Sequence, residues 1–130
     1  MYQRIILGIS AMVFIGIGVA FLVTPQSLLP RVNINATPGT ALTDVRAVYG
    51  GLDLGIGLFL AFCFVRGQLR TGLVACVFTL GGLSCGRILG IGLNREQDMI
   101  TYYLLAAEVL GVAMATTALM MGGPTTERKL

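Results

Sequence analysis

Histidine is absent from this chain of 130 residues, and only 12% of its residues are charged. Without imidazole there is no histidine general base, no haem or zinc–histidine site, and no Ser-His or Cys-His nucleophile pair. Cysteine is scarce as well. Cys63, Cys76 and Cys85 are an odd three, each inside an apolar run, and no Cys-x-x-Cys occurs. That pattern reads as small buried hydrophobes, with no signature of a metal cage or a redox dithiol. The basic residues stand singly except for Arg128-Lys129, and no basic stripe is interleaved with aromatics. Nucleic-acid binding is therefore set aside, although the net charge is +3 and the isoelectric point near 9.0.

What is abundant is apolar surface. Hydrophobic residues make up 55% of the chain and its mean hydropathy is +0.85. A soluble domain carries roughly a quarter charged residues, so this one could not cover its own surface in water. Disorder and a secreted disulfide scaffold are excluded by the same composition. The expected class is an all-α integral membrane four-helix bundle. A helix crosses a hydrocarbon core of about 30 Å with about 20 apolar residues. Four segments qualify: 5–23, 45–65, 71–93 and 99–121, joined by a long loop at 24–44 and followed by a tail at 124–130. The first apolar run is too long for a signal-peptide core and reads as a retained helix.

Orientation follows from the distribution of arginine and lysine. Arg4, Arg66, Arg70, Arg128 and Lys129 fall on one side, and Arg31 and Arg95 on the other. The richer side is expected to be cytoplasmic, which puts both termini there. Tyr102 and Tyr103 then start the fourth helix at the outer interface, and Tyr2 marks the inner one. The loop at 24–44, with Pro25, Pro30, Pro38 and Gly39, is either a simple connector or a lid or interfacial half-helix over the outer mouth. Asn35-Ala36-Thr37 matches a glycosylation acceptor, a weak three-residue signal. The repeated Leu-Gly-Ile-Gly-Leu at 54–58 and 89–93 reads as low complexity, because the two helices run in opposite directions.

The informative residues are ionisable groups inside the spans: Arg46, Asp53, Arg87 and Glu108. Each costs roughly 2.5–3.5 kcal/mol at a helix centre, so four alone would cost on the order of 10 kcal/mol. They must find each other, water or a bound group. At about 1.5 Å per residue, Asp53 lies about 12 Å from the outer end, Arg87 about 9 Å and Glu108 about 14 Å, with Arg46 near the surface. All four therefore belong to the outer half, and nothing ionisable lies in the inner half of any span. With the phase of an α-helix, Arg46, Tyr49, Gly50, Asp53 and Gly57 share one face. Two glycine ladders, Gly82/Gly86/Gly90 and Gly51/Gly55, permit close helix packing, internal or against a second copy.

The stretch 44–55, Asp-Val-Arg-Ala-Val-Tyr-Gly-Gly-Leu-Asp-Leu-Gly, taken with Gly82-Leu83-Ser84-Cys85-Gly86-Arg87 and Glu108, resembles a bacterial membrane family catalogued only as a domain of unknown function. That family is distantly similar to the DoxX/DoxD-like four-helix proteins. The resemblance covers nearly the whole chain, and Arg46, Tyr49, Gly50, Arg87 and Glu108 match its pattern. It implies a small four-helix bundle in the bacterial inner membrane. The wider relatives are described as accessory subunits of oxidoreductases or as receptor-assembly factors, which transfers no reaction to this chain.

Three functions remain open on the residues. One is a non-enzymatic protein with a charged outer pocket for a lipid-like or small polar ligand, lined by Arg46, Tyr49, Gly50, Asp53, Arg87 and Glu108. In this reading Arg46 and Arg87 meet anionic groups, and Asp53 and Glu108 hold the arginines in place. The second is an accessory or assembly subunit acting through helix–helix contacts with a membrane-protein partner or a second copy. The third is a small transporter or a histidine-free enzyme using Glu108 or Asp53 as base. No cofactor is implied by any of them. The bland alternative is an ion-pair network that only fixes helix register.

Overall fold

The computed structural model describes residues 1–32, 34, 39–93 and 98–122. Arg95, the Asn35–Thr37 acceptor and the tail at 124–130 lie outside the described residues. The architecture is all-helical: α1 (Tyr2–Val23), α2 (Pro25–Leu28), a 3-10 turn (Leu29–Val32), α3 (Thr40–Val45), a π-helical segment (Arg46–Leu52), α4 (Asp53–Val65), α5 (Leu69–Leu93) and α6 (Met99–Met121). No strand occurs among the described residues. The stretch from Thr40 to Val65 is one continuous helical rod, so among the described residues four helices are long and apolar enough to cross a membrane.

The expected segments are recovered with shifted starts. α1 begins at Tyr2 rather than Ile5, and α5 at Leu69 rather than Thr71. The second rod begins at Thr40 rather than Val45. In each case polar residues extend the helix past the apolar run, because a continued backbone ladder satisfies their amide groups. The expected stops at Val23, Val65, Leu93 and Met121 coincide with the ends of the helices. Between α4 and α5 the chain turns through Gly67, whose φ of +72° favours glycine. Gln68 N–H donates to Cys63 O at 2.8 Å and Gly67 N–H to Phe64 O at 3.3 Å, the paired bonds of a Schellman cap.

α1 and α5 each touch the other three long helices, which leaves α4 and α6 at opposite corners of the bundle. α1 lies along α4 and the π segment, and α5 lies along α6. The core sits between these two pairs at the end that carries the termini. Leu7, Leu60, Cys63, Leu73, Cys76 and Ala118 are fully buried there, with Ala115 nearly so. Gln3 Nε2 donates to Ala118 O at 2.9 Å and ties the start of α1 to the end of α6. Along α5 and α6 burial falls toward the far end. No residue of α5 beyond Ser84 is buried, and none of α6 before Glu108.

Glycine sets how closely α1 meets the second rod. A Cβ on Gly18 would stand 2.5 Å from the backbone nitrogen of Leu54, and one on Gly57 would stand 2.6 Å from that of Ile15. Gly72 likewise admits the Leu7 side chain. The expected ladders behave differently. A Cβ on Gly55, Gly82, Gly86 or Gly90 would meet nothing within 4 Å, and one on Gly51 only Arg46 O at 3.8 Å. Inside this chain the close approaches to backbone fall at Gly18 and Gly57, while Gly50, Gly72, Gly111 and Gly122 meet neighbouring side chains, and none falls on the expected ladders.

The connection after α1 is more than a bare strand of loop. Pro25 occupies the first turn of α2, where its missing N–H costs nothing. Leu29 then packs with Phe21, Leu42 and Val45 in a second, smaller apolar cluster. This knot joins the far end of α1 to the start of the second rod.

Candidate functional site

α5 and α6 pack along each other, and among the described residues one ion pair crosses between them. Arg87 Nε donates to Glu108 Oε1 at 2.8 Å. The Glu108 side chain is 9% exposed and that of Arg87 29%. On α6, Glu108 tops a stripe of Gly111, Ala115 and Ala118, spaced so that all four face inward. Gly111 makes room for Leu80, whose Cδ1 lies 2.7 Å from where a Cβ would be. Ser84, one turn below Arg87, is buried and donates to Leu80 O at 2.9 Å, so it makes no demand on the pair. Beneath the ion pair the interface is otherwise apolar.

The pair is incompletely satisfied. Glu108 Oε2 is buried and has no hydrogen-bond partner among the described residues. Arg87 uses one of its five N–H donors on a protein acceptor among the described residues. A carboxylate oxygen left bare in a low-dielectric interior costs free energy unless something donates to it.

The other expected site residues lie on the second rod. Arg46 opens the π segment and is exposed, with no ion pair among the described residues. Tyr49 is exposed, its ring centroid 5.5 Å from that of Phe21 at an interplanar angle of 32°. Gly50 is buried against α1, where a Cβ would come within 2.8 Å of Leu22 Cγ. Asp53 is half-buried and forms no ion pair with Arg46 or Arg87. It precedes Ile56, Leu60 and Cys63 on the stripe that α4 turns to the core. The structure thus brings Arg87 and Glu108 together and leaves Arg46, Tyr49 and Asp53 outside that contact.

The expected common face of Arg46, Tyr49, Gly50, Asp53 and Gly57 needs correction. It assumed an α-helical phase, but Arg46–Leu52 is π-helical, with bonds from residue i to i+5 in place of i to i+4. The wider turn changes the angle between successive side chains. Arg46 turns outward and Tyr49 lies at the edge of the α1 contact with its ring against Phe21, while Gly50 and Gly57 stay buried against α1. The Arg-x-x-Tyr-Gly-Gly motif coincides with this segment. π turns are rare and gather at functional positions. Nothing in hydropathy marks one, so sequence reasoning missed it. It also missed Gly111, whose only signal is helical spacing below Glu108, and assigned no role to Ser84 within the 82–87 stretch.

No three cysteine or carboxylate side chains gather in a metal-binding group among the described residues. The Arg87–Glu108 pair is suited to hydrogen bonding and charge compensation. It offers an acceptor from Glu108 and donors from Arg87 within one contact.

A family model for a domain of unknown function, DUF4345, matches residues 2–119. The chain belongs to the DUF4345 family. The DUF4345 match spans all four long helices and takes in both halves of the candidate site, the π segment and the Arg87–Glu108 pair. No curated protein and no solved structure matches the chain.

Proposed function

We propose that this DUF4345 chain is a non-enzymatic multi-pass membrane protein whose Arg87–Glu108 pair holds the polar part of a lipid-like or small polar ligand. The observation that carries this reading is Glu108 Oε2, shut away from solvent with no donor among the described residues. Ionisable groups in a span are costly and normally mark function. A pair kept only for register would be expected to satisfy its buried oxygen, as most buried polar atoms are satisfied. Arg46, Tyr49 and Asp53 add polar surface toward the same end of the second rod. The arginine and lysine distribution favours both termini on the cytoplasmic side of a bacterial inner membrane, with the polar site in the outer half. The distant DoxX/DoxD likeness belongs to this reading as a four-helix precedent.

The test is native mass spectrometry of the full chain extracted gently from its membrane. The wild type should carry a co-purified small molecule or lipid. Arg87→Gln/Glu108→Gln, which replaces the ion pair by neutral amides, should remain a folded bundle and lose that adduct. A double variant that keeps the wild-type adduct pattern would sink the reading.

A second reading, an accessory or assembly subunit, is favoured by one observation. Gly55, Gly82 and Gly86 leave open space where no helix of this chain closes. Such small-residue faces suit a partner helix. Gly86→Leu would then disrupt co-purification with a membrane partner or second copy while the ligand adduct persists.

A further inference from the structure

The chemistry of the Arg87–Glu108 contact restricts what can complete it. The group lacking a partner is an acceptor, Glu108 Oε2, so its complement must donate. Beside it, Arg87 has donors to spare, so the same complement must also accept. The existing pair is neutral as a whole. Adding a plain anion or a plain cation would leave a net charge in a region where charge is poorly solvated. A molecule that is itself neutral but carries both signs close together avoids this.

We infer that the ligand of this site is a zwitterion with a primary ammonium beside a phosphate, the ammonium donating to Glu108 Oε2 and the phosphate accepting from the free N–H groups of Arg87. This rests on the ligand-binding reading above and names its ligand class. The way in is past Arg87, the more exposed partner at 29%. Two sources carry that chemistry: the phosphoethanolamine head group of a bilayer lipid and soluble glycerophosphoethanolamine, whose phosphodiester carries one negative charge and keeps the molecule neutral. Exposed Leu83, Ile88, Val109 and Leu110 flank the pair on α5 and α6 and offer apolar surface that only the lipid would use.

The experiment is thermal unfolding of the purified full chain in dodecyl maltoside micelles, with one lipid added at a time. Phosphatidylethanolamine should raise Tm by about 5 °C when well above its dissociation constant. Phosphatidylcholine has the same two charges but no N–H, and phosphatidylglycerol has hydroxyl donors but no cation, so each should give little or no shift. An equal shift with phosphatidylcholine overturns the donor argument. An equal shift with phosphatidylglycerol overturns the zwitterion and leaves the wider reading intact. A shift with soluble glycerophosphoethanolamine identifies the small molecule as a source, and a shift only with the lipid identifies the bilayer. The Arg87→Gln/Glu108→Gln variant should lose the phosphatidylethanolamine shift. If none of these additions moves Tm, this inference fails. If the double variant also keeps its native adducts, the binding reading fails with it.

Discussion

Gly18 faces the backbone of Leu54 so closely that an added Cβ would stand 2.5 Å from the Leu54 nitrogen. Backbone cannot rotate away as a side chain can, so α1 and the second rod would have to separate. Gly18→Ala should therefore destabilise the chain by about 1–3 kcal/mol, in the range of overpacked cores. Gly82→Ala meets open space and should stay within about 0.5 kcal/mol of wild type. Thermal unfolding of the two variants side by side checks this. Similar melting of both would mean that α1 and α4 are not so closely packed.

Removing one member of the ion pair should be unequal in its effect. Arg87→Gln leaves a buried carboxylate without its cation and should cost about 3–5 kcal/mol. Glu108→Gln leaves the arginine, which is the more exposed partner and can reach water or a head group, so its cost should be smaller. The double variant should recover much of the loss of Arg87→Gln, because no charge is stranded. Additive effects in this double-mutant cycle would show that the two side chains are not coupled.

The cluster of Phe21, Leu29, Leu42 and Val45 fastens the connection after α1. Leu29 is 3% exposed, and Leu29→Ala removes about 2–5 kcal/mol of local packing on the usual scale for buried leucine. The cluster stands apart from the main core, so the loss should appear as local opening more than global unfolding. Trypsin cleavage after the exposed Arg31 should accelerate while the melting of the bundle changes little. An unchanged cleavage rate would contradict this role for Leu29.

Sidedness is tested by labelling engineered cysteines in intact cells with a maleimide that cannot cross membranes. Gln26→Cys, on exposed α2, should react from outside. Gln68→Cys, in the turn between α4 and α5, should react only after permeabilisation. The native thiols should stay silent, since Cys63 and Cys76 are buried and Cys85 lies within an apolar span. The reverse pattern would invert the topology.

The sequence by itself determined the number of long helices and where they end. Apolar run length is a local property, and Thr24-Pro25, Arg66-Gly67 and Gly122-Gly123-Pro124 interrupt it in plain view. It also singled out Arg46, Asp53, Arg87 and Glu108, because charge within a span is conspicuous whatever the fold. Only the tertiary structure decided which of them meet. That choice depends on how each helix is rotated and how near its neighbours come. The π turn at Arg46–Leu52 altered the rotation, leaving Arg46 facing outward and Tyr49 at the edge of the α1 contact. Gly18, Gly57 and Gly72 set much of the nearness, and of these only Gly57 stood out in the sequence, on the face it was expected to share with Arg46 and Asp53. Gly111 and Leu80 close the α5–α6 seam below the ion pair. The unpartnered oxygen of Glu108 is a product of all of these together, since a lone pair goes unmatched only once every neighbour has been placed.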